Sequence, residues 1–223
     1  MNTHPKGDYW GLDLTSSQVR PSACIGLDEN LGLTFLGLLS DDAEIISAAQ
    51  RHRPVMVAID APLTLPQGLC CLEESCACQP LVESKGRGCE RELARLGIPC
   101  YFTTKRSIIK AMVYRAMGLR QELARLGMRV IEVYPYATKV CLWGKPIPRK
   151  TRPQGLFFLR ERLASLVPAL RPYLGCLGHD LCDAALAAYT AYLYSRSRTI
   201  AIGDEAGLIY LPRGSLDSSG HHR

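Results

Sequence analysis

The stretch Val55-Met56-Val57-Ala58-Ile59-Asp60-Ala61-Pro62 decides the fold. A near-continuous apolar run of this kind reads as a strand buried on both faces, as in a sheet covered by helices. Pro54 opens it, and the two prolines of Ala61-Pro62-Leu63-Thr64-Leu65-Pro66 forbid its continuation, so the chain leaves as an extended loop. The run ends on a carboxylate, Asp60, which is costly to desolvate unless a cation or hydrogen bonds compensate it.

The same pattern recurs outward from this strand. Tyr9-Trp10-Gly11-Leu12-Asp13-Leu14 is a first strand that also ends near an aspartate, and Val130-Ile131-Glu132-Val133-Tyr134 carries a glutamate inside a third apolar run. Ser22 to Ile25 and Leu33 to Leu39 read as strands joined across a Gly-, Asp- and Asn-containing loop, which predicts an antiparallel meander. Asp41 or Asp42 can cap a helix running to about His52. Helices are also predicted over Cys89 to Leu96, Ser107 to Leu126, Phe157 to Pro168 and His179 to Ser195, the last buried because it is apolar nearly all round. Met128 to Val133 is the fifth strand, and short terminal strands can flank the turn Asp204-Glu205-Ala206-Gly207. The expected architecture is one α/β domain over residues 1–212. Its mixed five-stranded sheet has an antiparallel meander, later strands added by helical crossovers, and flanking helices. Residues 67–88 lack any period and are expected to be a Cys-rich insertion, and 213–223 a disordered tail.

At 223 residues the chain is long enough for a full core. No apolar run reaches the ~18 residues a bilayer span needs, and the N-terminal residues lack the apolar core of a signal peptide. A cytoplasmic protein without a membrane partner is therefore expected. Charge is unevenly spread: residues 1–84 hold 4 Lys/Arg against 11 Asp/Glu, and residues 85–162 hold 18 against 5. A basic middle beside acidic strand ends suits a phosphate backbone over a metal site, although a solvated Arg-rich helical face reads equally well.

Within the last predicted helix, His179-Asp180-Leu181-Cys182-Asp183-Ala184 sets Asp180 and Asp183 three residues apart on one face, with His179 nearby. This order of strands, terminal carboxylates and late acidic helix resembles the ribonuclease H-like fold, and the helix is similar to the one completing the metal site of its Holliday-junction resolvase (RuvC-like) branch. More closely, the chain resembles domain of unknown function family 429, described as predicted nucleases of that fold. The matching pieces are Gly11-Leu12-Asp13-Leu14, Ala58 to Pro66, Cys89-Glu90-Arg91-Glu92-Leu93, Val130 to Pro135, His179 to Ala184, and Gly203 to Pro212.

The resemblance implies a nuclease, and the residues support a physical case for one. Phosphodiester hydrolysis needs an activated water and a stabilised leaving oxygen, which two divalent ions supply. Mg²⁺ or Mn²⁺ prefers hard oxygen ligands, so carboxylates and no thiolates form the appropriate set. On this reading Asp13 bridges both ions, Asp60 and Asp183 each hold one, and Asp180 or Glu132 completes the set. His179 can protonate a leaving group or orient a water. Each has a structural competitor: Asp180 can cap its helix, and Glu132 can pair with a basic residue such as Lys139 or Arg91. Arg91, Lys105, Arg106 and Lys139 are candidates for contacting a nucleic-acid phosphate, the Lys105-Arg106 pair following the aromatic, hydroxyl-rich Tyr101-Phe102-Thr103-Thr104.

Two rivals remain: a non-catalytic nucleic-acid-binding module and an ATP-dependent phosphotransferase of the same superfamily. Against the latter, no glycine-rich phosphate loop follows the first strand. Separately, Cys70, Cys71, Cys76, Cys78 and Cys89 supply five thiols within twenty positions, enough for a structural Zn²⁺. Cys24, Cys100, Cys141, Cys176 and Cys182 read as buried small hydrophobes.

Overall fold

The computed structural model describes residues 7–16, 20–83 and 85–214; most of the expected tail, 215–223, lies outside them. In chain order the elements are β1 (Tyr9–Asp13), β2 (Ser22–Leu27), β3 (Leu33–Leu39), α1 (Asp42–His52), β4 (Met56–Asp60), α2 (Gly88–Arg95), α3 (Lys110–Arg125), β5 (Arg129–Val133), α4 (Pro135–Trp143), α5 (Pro153–Leu166), α6 (His179–Ser195), β6 (Thr199–Asp204) and β7 (Gly207–Pro212).

The meander forms as expected, β1 to β3 pairing antiparallel. The Asp28 carboxylate closes its β2–β3 turn by accepting hydrogen bonds from the backbone N–H groups of Asn30 and Gly32, both 2.7 Å. β4 lies parallel beside β1, and β5 parallel beside β4. The sheet is larger than the five strands expected: among the described residues it has seven, in the order β3-β2-β1-β4-β5-β7-β6. The β6–β7 hairpin joins through β7, parallel to β5, and covers what would have been an exposed edge. Both strands are legible in the sequence; that they extend the same sheet is not.

The two faces sort by strict alternation. Trp10, Leu12, Leu14, Val57 and Ile59 point to one side, against Ala48 and Ala49 of α1 and Ala116, Leu119 and Leu123 of α3. Tyr9, Met56, Ala58, Ile131 and Val133 point to the other, against Ala187 and Ala191 of α6, while α6 also buries Ala184, Ala185 and Ala188 over β2. The alanines let α6 lie close to the sheet. Gly11 shows how close: a Cβ there would meet the Ala184 carbonyl oxygen at 2.1 Å and the Ala188 nitrogen at 2.2 Å.

Helix α4 is not legible from periodicity. Pro135 starts it, and its residues Ala137 to Cys141 are all buried, so no apolar stripe separates from a polar face. It follows β5 directly and packs against α6.

Candidate active site

Asp13 and Asp60 close adjacent parallel strands in register. Adjacent strands lie roughly 4.8 Å apart, so the two carboxylates leave the sheet side by side, on the α6 face. Because Ala184 and Ala188 cross Gly11, the residue just before Ala184 lies over the carboxyl end of β1. That residue is Asp183, 1 % exposed. Three carboxylates from three elements thus approach one another at the carboxyl ends of the strands, where α/β sheets commonly place their ligands. They are near enough to raise the pKa values of Asp13 and Asp60, although their oxygens do not all lie within 4.8 Å of one another.

Two lysines partly neutralise them. The Nζ of Lys139, from α4 and itself buried, lies 2.5 Å from Asp183 Oδ1, and Lys150, from the loop before α5, contacts Asp183 Oδ2. Both cations thus engage Asp183 directly, and the negative charge of Asp13 and Asp60 is left undercompensated. Burial, and then the neighbouring Asp183, push the Asp13 carboxyl up from 3.8 to about 7, with Lys150 and Lys139 opposing. Asp60 is raised well above its ordinary value by burial, then by Asp13 and Asp183.

These shifts have a measurable consequence for the metal-free protein. In the folded chain Asp13 keeps its proton at a pH where the unfolded chain has released it. The associated stability is therefore full below about pH 4 and is lost as the pH rises toward 7. Each proton so held is worth about 1.4 kcal/mol per pH unit across that window. Asp13→Asn removes the titration, so its unfolding free energy in chelator should rise relative to the native chain's between pH 4 and 7. A difference independent of pH in urea melts would contradict this electrostatic picture.

The other sequence-derived candidates divide. His179, the first residue of α6, is half-buried at the same end; burial and the Lys150 charge lower its pKa below 6.5, and its buried Nδ1 has no hydrogen-bond partner among the described residues. Asp180 is exposed in the first turn and near enough to contribute to raising Asp13. It does not cap the helix, since Gly178 holds that position.

Glu132 takes the structural one of its two readings, as the partner of a basic residue, and leaves the catalytic set. It pairs in register with Ile59 rather than Asp60, so alternation turns it to the opposite face of the sheet. There it accepts two hydrogen bonds from Arg87, Nη1 and Nη2 each at 2.7 Å, and one from the Leu63 backbone N–H at 2.8 Å. Its partner is neither Lys139 nor Arg91 but Arg87. Arg87 also donates through Nε to Glu90 at 2.8 Å, and Glu90 in turn accepts from the N–H and hydroxyl of Thr103. This closed, buried network ties the loop after β4 and the segment before α3 onto β5.

The phosphate-contact candidates are also reordered. Lys139 is buried in its ion pair and not open to a substrate. Arg91 donates to the Gly86 carbonyl at 2.7 Å and lies 3.5 Å from Asp204. Lys105 Nζ is bonded to the Cys76 carbonyl at 2.5 Å, and Arg106, although paired with Glu74 at 3.3 Å, is 87 % exposed. Lys150 and Arg87 were missed; neither lies in a quoted motif, and only the location of their partners marks them. A cavity of about 80 Å³ lies beside Asp60, lined by Pro62, Tyr101, Met112, Val133 and Tyr134 among others.

The sulfur set is likewise revised. Cys70, Cys71, Cys76 and Cys78 bring their Sγ atoms within 4.8 Å of one another. Cys89 does not join them: it is fully buried on α2 against Ile202 and Ile209. Of the five cysteines read as buried, Cys24, Cys141 and Cys182 are so, Cys100 is partly covered, and Cys176 is exposed.

A mixed sheet with an antiparallel meander, helices on both faces and carboxylates at the ends of β1 and β4 beneath an acidic helix defines an α/β protein of ribonuclease H-like fold. The chain belongs to the family described as "Protein of unknown function (DUF429)", whose model matches residues 13–206. Among solved structures, that of Thermus thermophilus RuvC is similar at 13% identity, covering 85% of this chain and 96% of that one with a TM-score of 0.45. No curated protein matches in sequence.

Proposed function

We propose that the protein is a metal-dependent nuclease that hydrolyses phosphodiester bonds of nucleic acid. The observation that carries this reading is the convergence of Asp13, Asp60 and Asp183 at one end of the sheet with too few cations beside them. The donor set is oxygen-only and short of positive charge, which fits Mg²⁺ or Mn²⁺ and not a softer ion. Asp13, Asp60 and Asp183 would hold two such ions, with Asp180 at the margin. Bound there, divalent cations supply an activated water and stabilise the departing oxygen.

The chain's own groups have separate tasks. Lys139 holds the Asp183 carboxylate in place through its buried ion pair. Lys150, on a loop and half-exposed, offsets part of the Asp183 charge and is placed to reach a substrate phosphate oxygen. His179, with an unpartnered nitrogen and a lowered pKa, is neutral at pH 7 and available to accept or relay a proton. The basic segment 85–162 offers a phosphate-attracting surface that includes Arg106, 87 % exposed.

The test is cleavage of labelled single-stranded, duplex, hybrid and junction substrates in Mg²⁺, Mn²⁺ or chelator, with Asp13→Asn and Asp60→Asn as variants. An amide replaces groups that already favour the neutral form, so both variants should fold. Metal-dependent cutting by the native chain, lost in both variants, is the expected result, together with a Mg²⁺-induced rise in Tm at pH 8 that the variants lack. Salt-sensitive binding with no cutting would instead support the non-catalytic module. Phosphate transfer from ATP would support the phosphotransferase.

A further inference from the structure

We propose that Cys70, Cys71, Cys76 and Cys78 form a four-thiolate Zn²⁺ site that holds the insertion of residues 67–83 against the start of α3 and the loop before it, which borders the cavity beside Asp60. This site is independent of the carboxylate cluster and of the nuclease reading. A tetrahedral ion with Zn–S bonds of ~2.3 Å sets its sulfurs about 3.8 Å apart. Here all four sulfurs lie within 4.8 Å of one another, and Cys70 and Cys76 are 3.6 Å apart. Such proximity is too tight for four ligands on separate irons of a cubane cluster, and thiolate softness disfavours Mg²⁺.

The segment needs the ion. Residues 67–83 contain no helix or strand, and among them only Leu72 is buried. One leucine and a few turns cannot offset the entropy of ordering seventeen residues, at roughly 1–2 kcal/mol each. Small coreless segments are ordered by metals for this reason. The electrostatics agree: four thiolates around Zn²⁺ carry a net charge of −2, and Lys105 donates to the carbonyl of Cys76 itself.

The contacts also say what the site supports. Leu72 N–H donates to the Tyr114 hydroxyl at 2.6 Å, that hydroxyl donates to Glu73 at 3.0 Å, and Lys110 and Arg106 approach Glu73 and Glu74 at 3.5 and 3.3 Å. Through these bonds the insertion grips the start of α3 and the loop before it. The same loop carries Tyr101, which lines the cavity beside Asp60. Loaded zinc therefore orders one wall of the cleft.

Chain purified without added metal should contain one zinc per molecule by elemental analysis. Replacement by Co²⁺ should give the sulfur-to-cobalt charge-transfer and tetrahedral d–d bands of a four-thiolate site. Cys76→Ser/Cys78→Ser should lose both the metal and these bands, whereas Cys89→Ser should keep them. Stripping the zinc should raise amide exchange at least tenfold in residues 67–83 and 101–106 while leaving α6 protected. A metal-free chain with a disulfide among these cysteines would overturn the proposal. So would iron with inorganic sulfide, zinc retained in the double variant, or unchanged exchange on stripping.

Discussion

Gly11→Ala is expected to destabilise the protein by on the order of 4 kcal/mol or more, a magnitude confined to a few mechanisms of which backbone-level overpacking is one. For a chain of this length that corresponds to a fall in Tm of about 8–16 °C. The added methyl would lie 2.1 Å from the Ala184 carbonyl oxygen and 2.2 Å from the Ala188 nitrogen. Both are backbone atoms inside a helix, so no rotamer change relieves the clash and α6 must move off β1. Asp183 moves with it, and the Mg²⁺-dependent rise in Tm should vanish along with the stability. Gly118→Ala supplies the contrast: it lies within α3 with nothing within 4 Å of an added Cβ, and should stabilise the chain by about 0.5–1 kcal/mol. If Gly11→Ala melts like the native protein, helix and strand are not packed as described.

Arg87→Met should cost about 3–5 kcal/mol, because removing one partner of a buried ion pair leaves the other uncompensated. Here two partners are stranded: Arg87 is 2 % exposed, and Glu90 and Glu132 are 2 % and 5 % exposed. Methionine fills similar volume, so the loss reports charge and hydrogen bonding rather than a cavity. A second substitution separates these effects: adding Glu132→Gln to Arg87→Met should recover part of the loss in urea melts. A cost unaffected by Glu132→Gln would mean that Arg87 acts by packing alone. The network borders the cavity beside Asp60, but the Arg87 side chain bonds to Thr64, Glu90 and Glu132 rather than to the three aspartates, so the folded variant should still gain stability from Mg²⁺.

The contrast between Glu132 and Asp60 shows where sequence pattern stops being informative. Both sit in apolar β runs, and a period of two assigns each a face within its own strand. Which face is shared between strands depends on register, and a slip of one residue inverts it. Register here places Asp60 opposite Asp13 but Ile59 opposite Glu132. One glutamate therefore becomes the buried partner of an arginine 45 residues earlier.

The cations divide in a similar way. Basic residues are plentiful from 85 to 162, and nothing local separates Lys139 and Lys150 from Arg106. Lys139 is set against Asp183 by the packing of α4 on α6, a contact spanning more than forty positions, and Arg106 stays in solvent. The cysteine quartet and Cys89 differ likewise: a short irregular loop gathers four sulfurs, while helix α2 turns the fifth into the core.

The sequence by itself determined the α/β class, the meander, the extent of α6 to the residue, and the carboxylates ending β1 and β4. Apolar periodicity, proline punctuation and the cost of burying a charge are all local signals. Only the tertiary structure decided that the terminal hairpin completes the sheet, that α4 exists and carries Lys139, that Glu132 belongs to Arg87, and which sulfurs meet. Those outcomes depend on strand register and helix docking, in which distant residues compete for the same partners and no local pattern records the winner.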